Sequence, residues 1–522
     1  KLIIKILCLD SFFEQIMSVW QDNSPDTLVD ICARYCVEHL ETFCDKSGSG
    51  KFLLRNGISI PNEICEKMLE VFQTENTLHY LDDNFVNIFR DTERTRLKRV
   101  NVHRSQITDI GLSVLMKHNI IELDISDCVL LGSCSLLAIN NNGGSLLSLN
   151  IGNSTEILPM SLFSDGFDSS MDIKDFGVIF SKYHQNGYLL KTPNLRKLAI
   201  RNFKAPDEQV YYPLLLKPLT RLSHLDLSGC HHLGSLSCIL SLKNLVSLVL
   251  YNVFGLQEVL PNICYLKALR QLDISQSKEE NGMYSNPNKT LDTLVQSLPE
   301  LESLDISGTN LAGTGIAETE FVTDSSNCPQ SDIPGLKSRV KRPLKFLGLY
   351  QTANDACLRH HIPAIKITGD GSEEQILAAA EAYCSRPEIL QTVLNDLFQI
   401  FRYEVCKNTK KALDVIIHGM NSHIHEKHIQ IAGSASLFYI VKGEELENFN
   451  VKVKNSIVRT LLNGMSEHRS DITMMRNGCL TLCHFKIPRD VVSWSVMLPN
   501  ILLFFCIPSF LIMRGWYKSY YM

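Results

Sequence analysis

A short run near the start of the chain resembles a phosphate-binding loop. Gly48, Gly50 and Lys51 match the backbone amides and the cation with which such loops hold phosphates. The motif also requires Ser or Thr directly after the lysine to bind magnesium, and this chain has Phe52 at that position. We therefore interpret residues 47–51 as a flexible linker and not as a nucleotide site.

A second run contains residue types that bind zinc, namely His423, His425, Glu426 and His428. A zincin needs histidines four residues apart with Glu after the first, whereas His425 and His428 are three apart. We predict an exposed loop there. Cys479 and Cys483 lie one helical turn apart in an apolar run, which is typical of buried small residues. No Cys pair has zinc-finger spacing, so we expect no RING domain, no metal or other cofactor and no catalytic residue.

The run SPDTLVDICARYCVEHL is typical of an amphipathic helix with a defined start. Ser24 can cap it, Pro25 fits its first turn and Asp26 favours its dipole. One face then collects mainly apolar side chains, those of Leu28, Ile31, Cys32, Tyr35 and Cys36. Two interpretations stay open. The face packs within its own domain, or it is a docking surface on which the small Cys32 lets a partner groove approach closely.

The middle of the chain contains internal repeats with apolar residues at positions one, four and six. Most successive starts lie about 23 to 27 residues apart, which is typical of leucine-rich repeats. Each unit is predicted to form a short strand with its apolar residues inward and to cover its neighbour. Cys128 and Cys230 are predicted to be structural thiols in the turns of two repeats. The repeats start at Leu97, Ile120, Leu146, Leu195, Leu222, Leu245, Leu269, Leu301 and Leu344.

Two wide intervals between repeats predict surface insertions, and one of them is a loop at residues 313–341. We expect its basic cluster of Lys337, Arg339, Lys341 and Arg342 to be exposed. After about residue 370 the apolar spacing changes to three and four, which predicts helices. The segments that begin at Gly433 and Gly478 align at a separation of 45 residues, which is typical of armadillo or HEAT units.

The composition is that of an ordinary globular protein. With 45% hydrophobic residues, 20% charged residues and a net charge of −5, it favours neither disorder nor nucleic-acid binding. The 17 cysteines show no disulfide framework, so we expect a reducing compartment, cytoplasmic or nuclear. Residues 496–513 are almost free of charge, but Pro499 and Pro508 interrupt them. We interpret this run as a wrongly translated end, such as an unspliced intron, and not as a membrane anchor.

Two short motifs lie ahead of the repeats. Thr27-Leu28, Cys32 and Cys36 fit an elongin-binding box, although Cys36 stands where a larger aliphatic residue is usual. The residues that resemble a cullin-2 box follow in the expected order, and they are Ile60, Pro61, Ile64 and Met68. Together with the repeats and the strings RTRLKRV, SLVLYN, KRPLKFLGL, HIPAIKITGD and RNGCLTLCHFKIP, these motifs resemble the Zyg-eleven family, most of all its zer-one branch. The resemblance covers about residues 24–488.

The resemblance implies an α/β leucine-rich-repeat solenoid followed by an all-α armadillo-like superhelix. It further implies a non-catalytic substrate receptor that binds elongin C with elongin B, reaches cullin-2 and, through cullin-2, the RING-box protein, and recognises glycine at substrate N-termini. The helices of the family's glycine pocket are missing, so no degron-binding residue is assigned. The implied layout is an unassigned segment at 1–23, the two boxes at 24–90, leucine-rich repeats at 91–355, incomplete armadillo-like repeats at 370–488 and an apolar tail outside the family at 489–522.

A function from a different class stays open on the residues alone. A leucine-rich-repeat scaffold without a ligase role would bind an unrelated protein on its strands and would ignore both boxes. An enzyme within the repeats is disfavoured, because no triad, carboxylate pair or nucleotide loop has the required spacing.

Overall fold

The computed structural model describes residues 27–48, 50–75, 80–158, 189–205, 211–315, 331–443 and 449–485. The chain divides into two compact units, and the boundary lies between Ile367 and Thr368. The predicted cap at Ser24 and the apolar run at 496–513 lie outside the described residues. Among the residues that are described, no helix is both long and apolar enough to cross a membrane.

The first unit is built on a ten-stranded parallel sheet in which each strand pairs with the next strand along the chain. The apolar residues at positions one, four and six of all nine predicted repeats are buried, as the periodicity requires. The strands are β3 (Arg99–Asn101), β4 (Glu122–Asp124), β5 (Ser148–Gly152), β6 (Lys197–Ile200), β7 (His224–Asp226), β8 (Ser247–Val249), β9 (Gln271–Asp273), β10 (Ser303–Asp305), β11 (Leu344–Gly348) and β12 (Ala364–Thr368).

Helices follow several of these strands and complete the repeat core. Leu260, Ile263 and Leu294 are among their buried side chains. These helices are α4 (Asp109–Leu115), α5 (Ser133–Asn142), α6 (Tyr211–Leu216), α7 (Leu256–Ile263) and α8 (Pro287–Ser297). The chain is therefore a leucine-rich-repeat solenoid in this unit, as predicted.

The two repeat cysteines are structural, as predicted. The Cys128 thiol donates a hydrogen bond to the carbonyl oxygen of Val102 at 3.0 Å, in the preceding repeat. The Cys230 thiol contacts the carbonyl oxygen of Ile200 in the same way at 3.3 Å. Because each thiol satisfies a buried carbonyl group of its neighbour, these residues connect successive repeats and are not reactive sites.

The predicted loop at residues 313–341 is wrong for its second half. Residues 316–330 lie outside the described residues, but Pro334–Arg339 forms a 3-10 helix with Leu336 fully buried. Arg339 is only 5% exposed, so the basic cluster is not uniformly solvent-exposed. Its guanidinium group is needed inside the repeat to bind carbonyl groups at the end of α8.

Ahead of the repeats lie two longer helices and a hairpin. These are α1 (Leu28–Glu38), the strands β1 (Cys44–Lys46) and β2 (Phe52–Leu54), α2 (Asn62–Glu75) and the short α3 (Asp83–Val86). β1 and β2 pair antiparallel. The Ser47 amide donates to the Lys51 carbonyl oxygen at 2.9 Å, so the presumed flexible linker is the hydrogen-bonded turn of a hairpin.

The second unit consists of helices within the described residues. They are α9 (Glu373–Ala382), α10 (Pro387–Tyr403), α11 (Thr409–Ser422), α12 (Lys427–Lys442), α13 (Val451–Glu467) and α14 (Ile472–Leu482). Alternate helices contact each other: α10 contacts α12 and α12 contacts α14, while α9, α11 and α13 form a second row. This arrangement is one of stacked helix pairs. Cys479 is buried as predicted, but Cys483 is exposed.

Candidate partner-binding site

Helix α1 has a well-defined first turn. The Asp30 amide donates to Thr27 Oγ1 at 3.2 Å, while the Thr27 amide and hydroxyl donate to Asp30 Oδ2 at 3.2 and 2.6 Å. This reciprocal capping box satisfies amides that a helix start leaves unpaired. The cap is therefore Thr27 rather than the predicted Ser24, and the spacing of Thr27 and Asp30 was a signal for it in the sequence.

The first residue of α1 presents a large apolar side chain to solvent. Leu28 is 64% exposed, although the helix that carries it contacts α2 and contains the fully buried Ala33. Cys32, one turn further along, is half-buried, and Cys36 is half-buried against the core of the unit. The predicted docking face is thus open at Leu28 and Cys32 and closes toward Cys36.

The thiols on this face are neutral at physiological pH. Burial raises the pKa of the Cys36 thiol to about 11, and the nearby Cys32 adds to that rise. Burial also raises the pKa of the Cys32 thiol. Since only the thiolate is a good nucleophile or metal ligand, these two residues act as small apolar side chains.

The second motif is divided between surface and core. Pro61 is exposed and Ile64 is half-buried, so both offer some surface to a partner. Ile60 and Met68 are only 8% and 0% exposed, which removes them as contact residues in this structure. Ile60, just ahead of α2, and Met68, on α2, lie instead in the core of their own unit, so their contact with cullin-2 stays a prediction that this burial disfavours. Ile60 and Met68 thus contribute to the core on which α2 packs.

Charged side chains join α1 and α2. Lys67 Nζ lies 2.8 Å from Asp30 Oδ1 and 2.8 Å from Glu70 Oε1. Hydrogen bonds from Lys67 and Thr27 lower the pKa of Asp30 to about 2, and the hydrogen bond with Asp30 raises the pKa of Lys67. Both groups are therefore charged at neutral pH. Sequence reasoning missed this pair, because no local pattern relates residues 37 positions apart.

Helix α2 is also attached to the repeats. Glu66 Oε1 accepts hydrogen bonds from the backbone amides of Lys98 at 2.9 Å and Arg99 at 3.0 Å. Arg99 begins β3, the strand at one end of the sheet order. The helix that carries the second motif thus covers the outer edge of the first repeat strand, and both motifs belong to the same compact unit as the repeats.

The histidine run is not arranged as a metal site. His423 is 5% exposed and its Nε2 lies 2.7 Å from the Cys384 carbonyl oxygen, so the expectation of an exposed loop is wrong there. His425, by contrast, is exposed and its Nδ1 lies 2.8 Å from Glu467 Oε1. Within the described ranges, no group of three or more His, Cys, Asp or Glu side chains could hold a metal ion.

Two family models match the chain. "Zer-1-like, Leucine-rich repeats" matches residues 213–352, and "Protein zer-1 homolog-like, C-terminal domain" matches residues 418–507. The second match extends past Pro488, so the resemblance continues further than the sequence motifs predicted.

Relatives cover most of this chain. The zer-1 homologue of Drosophila melanogaster is 42% identical over 92% of this chain and 59% of its own length. The human zer-1 homologue is 31% identical over 90% of this chain and 61% of its own length. The Zyg eleven-related protein 1 of Caenorhabditis elegans is 37% identical over 58% of this chain and 34% of its own length. The chain thus spans about 60% of the length of these zer-1 homologues.

One solved chain, from the crystal structure of the Rad7 and Elc1 complex in yeast, is 17% identical and covers 72% of this chain and 84% of its own, with a TM-score of 0.37. A TM-score of this size says nothing about partners. The sequence relatives and both family models, in contrast, agree with the motifs and with the observed repeats. This chain belongs to the Zyg-eleven family, in its zer-1 branch.

Proposed function

We propose that this chain is the substrate-recognition adaptor of a cullin-2 ubiquitin ligase. Helix α1 binds elongin C, which carries elongin B, and the start of α2 meets cullin-2, which brings the RING-box protein. The observation that carries this proposal is the 64% exposure of Leu28 at the capped start of α1. Leu137 on α5 is exposed to a similar extent, so exposure is not the whole argument. Leu28 differs because it shares the open face of α1 with Cys32, in the order that the elongin-binding box requires.

The energetics favour an apolar groove as the partner of Leu28. Fully burying an exposed leucine stabilises a complex by about 1.5 to 3 kcal/mol, and Leu28 still has about two thirds of that surface to bury. The capping box already orders the turn that carries it, so binding pays little further conformational entropy there. The neutral thiol of Cys32, one turn away, is small enough for close approach.

The proposed contact with cullin-2 has fewer candidate residues than the proposed contact with elongin C. Pro61 and Ile64 remain as the candidates for cullin-2 binding, because Ile60 and Met68 are buried in the core of their own unit. Arg94 holds the segment before α2 in place: its guanidinium group donates to the carbonyl oxygens of Leu54 and Arg55 at 2.9 and 3.0 Å. This surface is thus small but rigidly supported.

An adaptor of this kind needs no catalytic residue of its own. It raises the effective concentration of a substrate near a ubiquitin-charged enzyme, so its contribution is to position the substrate. The proposed substrates are proteins with an N-terminal glycine, and the proposed compartment is cytoplasmic or nuclear. Within this chain we assign none of the residues that bind such a glycine.

The test is co-purification of the elongin B and C complex with the double variant Leu28→Ser and Cys32→Ser. We expect at least a ten-fold loss of affinity, since the change places two polar hydroxyl groups against an apolar groove. Titration of the purified chain with elongin B and C, followed by calorimetry, measures the loss.

The matched control is Cys134→Ser with Leu137→Ser on the repeat helix α5. Leu137 is 60% exposed and Cys134 is exposed, so this pair repeats the chemical change on an unrelated surface. It should bind elongin C like the unmodified chain. Undiminished binding by the α1 variant would contradict the proposal and favour a repeat scaffold that uses neither motif.

A further inference from the structure

We infer that the edge of the repeat sheet at which the strands begin binds an extended acidic segment of another protein. This inference goes beyond the proposed function and does not depend on it, since neither α1 nor α2 takes part. The surface, which we call the basic edge, consists of eight exposed side chains: Lys191, Arg196, Lys197, Lys217, Arg221, Lys243, Lys267 and Arg270.

The topology of the sheet collects these side chains on one side. Each belongs to the turn that leads into one of the successive strands β6 to β9, or to the first position of the strand. These strands pair in chain order, parallel and without a shift in register. Since parallel strands all start at the same side of a sheet, the basic edge is continuous. With about 4.8 Å between strands, it extends for roughly 15 Å.

Contacting carboxylates do not neutralise the basic edge. None of its eight side chains forms an ion pair with another described residue. Two of them are fixed by neutral acceptors: Arg221 Nη1 donates to Asn194 Oδ1 at 2.7 Å, and Lys267 Nζ donates to the Ser297 carbonyl oxygen at 2.8 Å. These hydrogen bonds orient the two cations and leave their charge available to a partner.

The flanking repeats differ at the same side of the sheet. Arg99 Nε lies 3.6 Å from Glu122 Oε2, and Lys345 Nζ lies 2.8 Å from Glu302 Oε2. Basic side chains are thus paired with carboxylates on both sides of the basic edge, but not within it. Like charges that lie close together repel one another, and an anionic partner relieves that repulsion.

Neighbouring carboxylates restrict the shape of such a partner. Within residues 189–205 and 211–275 the acidic residues are Asp226, Glu258 and Asp273, and all three lie beyond the starts of the strands. Asp273 ends β9, three residues after Arg270, which corresponds to about 10 Å along a strand. A DNA duplex, in which the major groove alone is about 12 Å wide, would extend over that carboxylate. The basic edge therefore favours a narrow anionic partner.

An extended acidic peptide fits the basic edge better than a single nucleic-acid strand does. Single strands bind on rows of aromatic side chains, and Tyr265 is the one exposed aromatic residue on this edge within the described residues. In an extended peptide, alternate side chains point the same way and lie about 7 Å apart. Long lysine and arginine side chains can reach carboxylates at that spacing, and arginine can bind a carboxylate through two hydrogen bonds.

The experiment uses a fluorescent peptide of alternating Glu and Ser, about ten residues long, which spans roughly 33 Å when extended. The full chain is titrated into the peptide at low ionic strength, and fluorescence anisotropy measures binding. We expect the combined variant Arg196→Glu, Lys197→Glu and Lys243→Glu to raise the dissociation constant by about ten-fold or more, because repulsion replaces attraction at each position. Glutamine at the same positions only removes the attraction, so it should raise the dissociation constant less, by about three-fold.

The matched control is the combined variant Lys204→Glu, Lys278→Glu and Lys289→Glu. These exposed lysines follow the ends of strands, so the control makes the same change in net charge at the opposite edge. It should bind the peptide within about two-fold of the unmodified chain. An equal loss in both charge-reversal variants, no binding by the unmodified chain, or tighter binding of single-stranded or duplex DNA of equal charge would overturn the inference. The titration contains no elongin or cullin, so each of these results leaves the proposed function standing.

Discussion

Replacing Arg339 with methionine is expected to destabilise the repeat unit by roughly 2 to 6 kcal/mol. The guanidinium group donates to the carbonyl oxygens of Leu298 at 2.6 Å, Leu301 at 3.1 Å and Val295 at 3.2 Å. The Val295 carbonyl has no helical donor, because the residue four positions on is Pro299, which lacks an N–H group. Methionine fills much of the same space but leaves the Val295 and Leu301 carbonyl groups without this donor, at about 1 to 3 kcal/mol each. The Leu298 carbonyl group keeps a hydrogen bond from the Leu301 amide at 3.2 Å.

Urea unfolding of the chain, followed by circular dichroism, measures this loss. Lys337→Met is the matched control, since Lys337 lies on the same 3-10 helix with its side chain exposed, and its effect should stay within about 0.5 kcal/mol. Equal stability of the two variants would show that water replaces the guanidinium group as the donor.

Gly308→Ala is expected to destabilise the repeats by about 2 to 5 kcal/mol, for two separate reasons. Gly308 has a φ of +66°, a conformation that L-residues adopt only with strain. A Cβ atom there would also lie 1.9 Å from the carbonyl oxygen of Gln276 and 2.8 Å from its carbonyl carbon. These are backbone atoms of the neighbouring repeat, so the overlap cannot be relieved by a rotamer change.

Gly255→Ala separates the two causes. Gly255 has a φ of +70°, but nothing lies within 4 Å of the position of its Cβ, so alanine there meets only the backbone strain. We expect about 1 to 2 kcal/mol for this control. The difference between the two unfolding free energies then measures the close approach of adjacent repeats, and a difference near zero would contradict it.

The repeat sheet was predictable because its physical signal is periodic. A strand with one buried face needs apolar residues at fixed positions, and nine units supply them. The tenth strand, β12, escaped prediction because Ala364–Thr368 lacks the leucine pattern and leaves Ile365 78% exposed. Because β12 is the last strand of the sheet and has a single neighbouring strand, packing requires fewer apolar residues at fixed positions there.

The candidate site was predictable only as far as its local motifs reach. Helical spacing placed Leu28 and Cys32 on one open face, but the same logic could not separate Pro61, which is exposed, from Met68, which is buried. That distinction depends on which side of α2 faces the repeats, a long-range property. The buried role of Arg339 could not be predicted for the same reason. Every residue has a backbone carbonyl group, so the sequence does not show which carbonyl groups need a side-chain donor.

The carboxylate of Glu66 has a consequence for solubility. A strand at the end of a sheet normally offers unpaired amides on which strands of other molecules can add. Glu66 occupies the amides of Lys98 and Arg99 at that end. We expect that losing this carboxylate would expose both amides to strand addition, so the helix proposed to meet cullin-2 also protects this edge of the sheet.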